Sequence, residues 1–310
     1  MTYSAEVTLA TPTITFPGAR RPDRTTTVDS SGVAIRAYEW GDADAPPLFL
    51  VHGGFDFAGT FDGFAPILAD DGWRVVSWDQ RGHGASEHAA LYSWDADVRD
   101  AIAVVDSVTD DPVPMIGHSK GGGILLQLAE VAPWRMTRMV NLDGLPSGRT
   151  APDVADHERT RMLRDELASW LDHHRRTHEL QRKPGTLEEL AARRGNMNPR
   201  LGHDWLLYLA SIGAQQSDEG WRWTIDPALR FGGFGPFRPE WSLHRLPGLG
   251  IPMFGVLSTI EEPMGWGTAL ADVESYLPDT ARVVEMPDTG HFLHIERPQE
   301  VADMVLEFLR

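Results

Sequence analysis

The sequence predicts an α/β fold with a mostly parallel central sheet, helices flanking it, and a helical insertion. Three observations support this. Short, continuous apolar runs alternate with longer helix-like segments up to about residue 144. The alternation stops between about 145 and 245 and then resumes. A strand covered on both faces carries an unbroken apolar run, which is typical of parallel sheets between helices.

The chain opens with a stretch rich in Thr, Pro and Arg, after which two β-like runs flank Ser31-Gly32 and predict a hairpin. Four apolar runs then predict buried strands, and the segments between them have helical spacing. The predicted strands are Pro47–Val51, Trp73–Trp78, Val113–Ile116 and Met139–Leu142, and the predicted helices are Phe61–Asp70, Ala96–Val108 and Gly122–Val131.

The insertion carries three predicted helices, one of which begins with a capping-box spacing between Thr186 and Glu189. The predicted elements from here on are helices Asp156–Arg176, Thr186–Arg194 and Asp204–Ile212, strands Ile251–Leu257 and Ala281–Met286, and a last helix from Pro298 to Arg310. We therefore expect an N-terminal tail (1–24), a core (25–144 and 246–310) and a helical cap (145–245).

Composition excludes several classes of protein. The 310 residues hold 28 Lys and Arg against 45 Asp and Glu, a net charge of −17. This acidic balance argues against nucleic acid and against anionic membranes as partners. The chain has no cysteine, so disulfides and thiolate metal sites are excluded. Without a signal-like start or a long apolar run, we expect a cytoplasmic protein.

The sharpest motif is GHSKG at residues 117–121, between an apolar strand and a helix-like run. Gly-x-Ser-x-Gly in that setting is a nucleophile elbow, in which the serine sits on a sharp strained turn. Glycine is needed at both flanking positions because a side chain there would clash. The motif predicts Ser119 as a nucleophile.

Residues 52–54 read His-Gly-Gly directly after the first buried strand. Together with the elbow, this pattern resembles the α/β-hydrolase superfamily, and the resemblance runs from Val28 to Arg310. It implies an oxyanion hole formed by the amides of Gly54 and Lys120, and a structural role for His52. It also identifies the DQRGHGAS loop at residues 79–86 as architecture that ties down the turn.

A serine hydroxyl needs a neighbouring imidazole to remove its proton. The C-terminal segment GHFLHIERP at residues 290–298 resembles the superfamily's base loop, which assigns the base to His291. By the same match, His294 is a packing or loop residue.

The acid that orients the imidazole has two candidate positions. Most superfamily members place an Asp in the loop after the strand that follows the insertion, where this chain has Glu261 and Glu262. A minority place it after the strand that follows the nucleophile helix, where Asp143 stands. We take Asp143 as the first candidate and Glu262 or Glu261 as the alternative.

The resemblance implies that the insertion caps the active site. Its aromatic residues suit a bulky apolar group, although a cap also needs a core of its own. Candidate substrate contacts are Phe55, Asp56, Trp205 and Phe234. The expected substrate is a hydrophobic ester or lactone. The early acid and the aromatic cap loosely resemble lactonases that open macrolactones such as zearalenone.

No phosphate-binding loop is present, and the His174 and His178 pair is flanked by arginines, so we predict neither a cofactor nor a metal. A homodimer is one further expectation. Epoxide hydrolases and dehalogenases of the superfamily attack with Asp where Ser119 stands, which sets them aside. Two alternatives use the same scaffold: a small-molecule receptor with little turnover, and an acyltransferase.

Overall fold

The computed structural model describes residues 14–147, 156–177, 179–230 and 239–310. Its core is an eight-stranded sheet with helices on both faces. The strands within these residues are β1 Arg24–Asp29, β2 Ala34–Trp40, β3 Pro47–Val51, β4 Arg74–Trp78, β5 Val113–His118, β6 Met136–Leu142, β7 Ala214–Ser217, β8 Gly220–Trp223, β9 Met253–Ser258 and β10 Ala281–Met286.

Within the described ranges there are ten helices, three of which are only four residues long. They are α1 Ala65–Asp70, α2 Trp94–Val108, α3 Lys120–Val131, α4 Asp156–Thr177, α5 Leu187–Gly195, α6 His203–Gly213, α7 Pro239–Ser242, α8 Leu270–Val273, α9 Leu293–Glu296 and α10 Pro298–Leu309. Short 3₁₀ turns lie at Ala58–Phe61, Pro133–Arg135, Leu243–Gly248 and Glu274–Tyr276.

The strand order is β1-β2-β4-β3-β5-β6-β9-β10. The pairs β1·β2 and β2·β4 are antiparallel, and the other neighbours are parallel. Successive residues of β3 enter opposite cores: Phe49 and Val51 face the cluster with α2 and α3, and Leu48 and Leu50 face the cluster with α1 and α10. Burial on both faces explains the continuous apolar runs, and the predicted fold is confirmed.

The predicted N-terminal hairpin is also confirmed. Strands β1 and β2 pair in antiparallel register from Arg24·Glu39 to Asp29·Ala34. Ser31 and Gly32 form the turn with φ of 53° and 83°. The part of the predicted tail that the structure describes packs on the body, because the ring of Phe16 lies 4.9 Å from that of Trp205.

The insertion departs from the sequence prediction in one respect. Helices α4, α5 and α6 match the prediction closely, and Thr186 caps α5 in a complete capping box. Residues 214–223, however, form the antiparallel pair β7·β8 where only helices and loops were expected. Each strand is four residues long, too short for a period of two to emerge from the sequence. None of the described helices is long and apolar enough to cross a membrane.

Candidate active site

The elbow lies where β5 passes into α3. Ser119 has φ of 52° and ψ of −121°, a left-handed strained conformation for a residue with a side chain. A Cβ atom on Gly117 would lie 2.5 Å from the Gly121 carbonyl carbon, and one on Gly121 would lie 2.1 Å from the Val51 oxygen. Glycine is therefore required at both positions by backbone atoms of neighbouring segments.

Asp143 and His291 are brought together from distant parts of the chain. The Asp143 Oδ2 atom lies 2.7 Å from His291 Nδ1, and both side chains are almost fully buried. The carboxylate also accepts hydrogen bonds from Ser258, through its amide at Oδ1 (2.8 Å) and its hydroxyl at Oδ2 (2.9 Å). Three donors thus fix the orientation of the carboxylate, and the carboxylate fixes the imidazole.

These groups gather at the carboxyl ends of adjacent parallel strands. Ser119 follows β5, Asp143 follows β6 and Ser258 ends β9, the next strand in the sheet. Sites in open α/β sheets collect at this edge. The ring of His118, which precedes the serine, lies 4.7 Å from the ring of His291, so the predicted base lies beside the elbow.

The two glutamates lie differently from Asp143. Glu262 is buried, and its Oε2 accepts a hydrogen bond from the backbone amide of His291 at 2.6 Å. Glu261 is exposed. Of the three acid candidates, Asp143 is the one described in contact with the imidazole, whereas Glu262 holds the backbone of the base.

Further contacts hold the loop that carries His291. The Gly290 amide donates to Glu296 Oε1 at 2.8 Å. Arg200, from the segment between α5 and α6, binds Glu296 at 2.7 Å and the Asp288 carbonyl at 2.8 Å. Arg200, a residue of the insertion, therefore binds directly to both sides of the loop that carries His291.

The two residues that carry the predicted oxyanion donors lie side by side. A Cβ atom on Gly54 would be 3.8 Å from Lys120 Cβ, and one on Gly53 would be 3.2 Å from Ser119 Cβ. Lys120 is the first residue of α3, so its amide has no acceptor within the helix. The two residues predicted to supply the oxyanion donors are therefore neighbours, and both lie near the serine.

Two buried histidines support this loop as neutral groups. The His52 Nε2 atom accepts from the Gln80 amide at 2.9 Å, and its Nδ1 donates to the Gly53 carbonyl at 2.7 Å. Burial lowers the pKa of His52 to about 3. His83 Nε2 accepts from the Phe55 amide at 3.2 Å, and burial also lowers the pKa of His83. In each ring, the acceptor nitrogen therefore accepts a hydrogen bond from a backbone amide.

The loop of residues 79–86 is tied down by charged groups. Asp79 accepts hydrogen bonds from the amides of Ala58 (2.8 Å) and Ala85 (2.7 Å) and from the Tyr38 hydroxyl (2.7 Å). Arg81 forms a buried bidentate pair with Asp100, both bonds measuring 2.7 Å. Such pairs fix both position and orientation.

The four predicted substrate contacts have different surroundings. Phe55 is half-buried with φ of 58°. Asp56 is fully buried, with Arg194 of α5 3.3 Å from its carboxylate. Trp205 is 3% exposed and packs on Phe16 and Tyr208. The structure therefore places Asp56 and Trp205 against protein partners rather than on an open ligand surface, because Asp56 faces Arg194 and Trp205 packs among aromatic rings. Phe234 lies outside the described residues.

Sequence reasoning missed three polar residues around the site. Ser258 orients Asp143, and Gln80 and Asp97 bind the Lys120 side chain. Ser258 ends the strand after the insertion, directly before the loop in which most superfamily members place the acid. That place in the chain is the one sequence signal that could have identified Ser258. Gln80 lies in the DQRGHGAS loop but at a position that the motif leaves variable, and Asp97 lies in no motif. Within the described ranges, no group of three or more His, Asp or Glu side chains is placed to hold a metal ion.

The fold and the elbow define a class of protein, the α/β proteins with a nucleophile elbow at the sheet edge. Residues 46–298 match the alpha/beta hydrolase fold family, and the chain belongs to that family. The resemblance and the expectation of a hydrolase of this family are thereby confirmed.

Relatives span most of the chain. A serine hydrolase-like protein of Danio rerio is 25% identical, over 89% of this chain and 85% of its own length. The sn-1-specific diacylglycerol lipase ABHD11 of Mus musculus is 25% identical, over 87% and 82%. Among solved structures, the thioesterase domain from the curacin biosynthetic pathway superposes with a TM-score of 0.77 at 23% identity, covering 92% of this chain and 99% of that one, which supports the fold.

Proposed function

We propose that the protein is a serine hydrolase that cleaves a carboxylic ester or lactone of a bulky hydrophobic substrate. Ser119 is the nucleophile, His291 the general base and Asp143 the acid. The amides of Gly54 and Lys120 form the oxyanion hole. The observation that carries this proposal is the 2.7 Å contact between Asp143 and His291 beside a serine on a strained elbow.

The mechanism follows from the roles of these groups. Ser119 Oγ attacks the carbonyl carbon while His291 Nε2 takes the hydroxyl proton, and the two amides bind the oxyanion. The tetrahedral adduct collapses to an acyl-enzyme as His291 returns the proton to the leaving alkoxide. Water, deprotonated by His291, then hydrolyses the acyl-enzyme. A lactone gives one hydroxy acid, because its leaving alcohol stays attached to the acyl chain.

Asp143 supports the base through charge and orientation. Its carboxylate accepts a hydrogen bond from the N–H group at His291 Nδ1, which leaves Nε2 free to accept the proton of the serine. The same negative charge stabilises the imidazolium formed during each half-reaction. Burial of both groups strengthens the interaction because little water screens it.

The substrate class is proposed from the cap and the relatives. Segment 145–245 is the proposed cap. Its Arg194 contacts Asp56, two residues after Gly54, and its Arg200 contacts Glu296, which follows His291 in the chain. A macrocyclic lactone of the zearalenone kind is one candidate. The sn-1 ester of a diacylglycerol, the substrate named for one relative, is the other. We place the protein in the cytoplasm and propose no cofactor.

A substrate panel tests the proposed function. Purified protein is given short- and long-chain p-nitrophenyl esters, a diacylglycerol, zearalenone and a matched amide, and products are followed by absorbance and mass spectrometry. We expect hydrolysis of esters or the lactone at least about 10³-fold above Ser119→Ala, and little amide cleavage.

Other outcomes of the panel would contradict the proposal. A compound that raises the melting temperature of the wild type without being consumed by it would indicate a receptor with little turnover. Product formation that rises with added alcohol or thiol and yields the transferred ester would indicate an acyltransferase.

A further inference from the structure

The side chain of Lys120 lies in an unusual place for a lysine. The chain has two lysines, Lys120 and Lys183. The Lys120 ammonium is largely buried and lies 2.8 Å from Asp97 Oδ2 in α2. It also donates to Gln80 Oε1 at 2.8 Å and lies 5.6 Å from the centre of the Trp94 ring. Removing a lysine from water costs free energy even when its ammonium is paired, so such a position suggests that the side chain has a functional role.

Gln80 carries the contact on to the neighbouring loop. Its Nε2 donates to the His52 carbonyl at 2.6 Å, and its backbone amide donates to His52 Nε2 at 2.9 Å. His52 directly precedes Gly53 and Gly54. A continuous chain of polar contacts therefore runs from Asp97 through the Lys120 ammonium and Gln80 to His52.

The contact from Lys120 through Gln80 to His52, called the bridge below, links the two halves of the proposed oxyanion hole. The Lys120 amide supplies one proposed donor, and the loop held at His52 supplies the other, the Gly54 amide. The Lys120 stem also lies against Gly54, with a Cβ atom on Gly54 falling 3.7 Å from Lys120 Cδ. The same residue thus offers one donor by its backbone and spans to the other by its side chain.

We propose that the Lys120 side chain, anchored on Asp97, is a positioning residue that sets the spacing of the two oxyanion amides through Gln80 and His52. The inference rests on the proposed function of this site and adds a role for the side chain to that of the amide. Oxyanion donors stabilise the transition state only when both are preorganised at hydrogen-bond distance, and small displacements reduce the rate strongly.

The electrostatics of the bridge favour this arrangement. Asp97 is nearly inaccessible, and burial raises the pKa of its carboxyl while the nearby Lys120 charge opposes that rise. Removing the ammonium would leave the carboxylate buried without its partner. The ion pair therefore holds the lysine tail in one place, and the tail in turn holds Gln80.

The test uses Lys120→Met, which keeps the backbone amide and most of the stem. Gln80→Met removes the bridging amide, the double variant removes both, and Lys183→Met, at an exposed site, is the control. We expect Lys120→Met to lower kcat by about 10- to 100-fold on an activated ester, with KM changed less than about threefold. Gln80→Met should lose a similar factor, and the double variant should lose no more than the larger single loss, because both act through one bridge.

Several results separate this inference from the proposed function. A wild-type protein that does not hydrolyse the activated ester would contradict the proposed function, and the inference would fall with it. An active wild type with Lys120→Met within about threefold in kcat, or with a loss in KM alone, would overturn the positioning role; so would multiplicative losses in the double variant. If Lys120→Met fails to fold, Lys120→Met/Asp97→Asn removes the unpaired carboxylate and carries the same expectation for kcat.

Discussion

Replacing Asp143 by asparagine is expected to lower kcat/KM by about 10⁴-fold, with the fold unchanged. The surrounding donors dictate how the new side chain must sit. Its oxygen must take the place of Oδ1 to keep the hydrogen bond from the Ser258 amide, since a second N–H there would oppose a donor. The new NH₂ group then faces His291 Nδ1 and forces the proton onto Nε2, where it prevents the ring from accepting the serine proton.

Glu262→Gln is the matched comparison for that variant. A glutamine oxygen can still accept the His291 amide hydrogen bond that Glu262 accepts at 2.6 Å, so we expect a loss within about tenfold. Steady-state kinetics of both variants on one ester decide between the candidates. A loss in Glu262→Gln as large as that in Asp143→Asn, or near-wild-type activity of Asp143→Asn, would contradict the assignment of the acid.

Gly121→Ala is expected to damage both stability and activity. The added Cβ atom would fall 2.1 Å from the Val51 carbonyl oxygen and 2.8 Å from that of His52. Both of these oxygens belong to the backbone, at the end of β3 and at the residue after it, so no side-chain rotation relieves the clash. We expect the free energy of unfolding to fall by at least about 1–3 kcal/mol. We also expect kcat/KM to fall at least about 100-fold, because the elbow must move away from the segment at residues 52–54.

Gly250→Ala is the control for that variant. Gly250 lies in a loop, has no neighbouring atom within 4 Å of its Cβ position, and has no unusual φ. Urea unfolding and ester kinetics of the two alanine variants are compared side by side. A Gly121→Ala protein as stable and active as Gly250→Ala would mean that the elbow is not packed on β3 as described.

Much of the architecture follows from local sequence patterns. Continuous apolar runs such as Pro47–Val51 predicted buried parallel strands because each face of the sheet meets its own helices. Thr186 and Glu189 predicted the start of α5 because the capping box is a local device. The β7·β8 pair escaped prediction since its pairing is set by contacts with the rest of the insertion, including the bridge between Gly185 and Trp221.

The candidate site was less evident from sequence where it depends on distant segments. Ser119 and His291 stand in recognisable motifs. The preference for Asp143 over Glu262 rests on which carboxylate contacts the imidazole ring and which contacts the backbone, and these contacts join segments that are distant in the chain. The contacts made by Ser258, Gln80 and Asp97 were not predicted, because a residue that positions another needs only to be near it in space.

The most direct test of the central claim, an activated Ser119 beside an assembled oxyanion hole, is reaction with a fluorophosphonate probe. Intact mass and peptide mapping locate the adduct, and circular dichroism verifies the fold. The structure predicts rapid addition of one probe per chain on the peptide that carries Ser119, and none in Ser119→Ala. Folded wild-type protein that stays unlabelled, or that is labelled at another residue, would contradict the account.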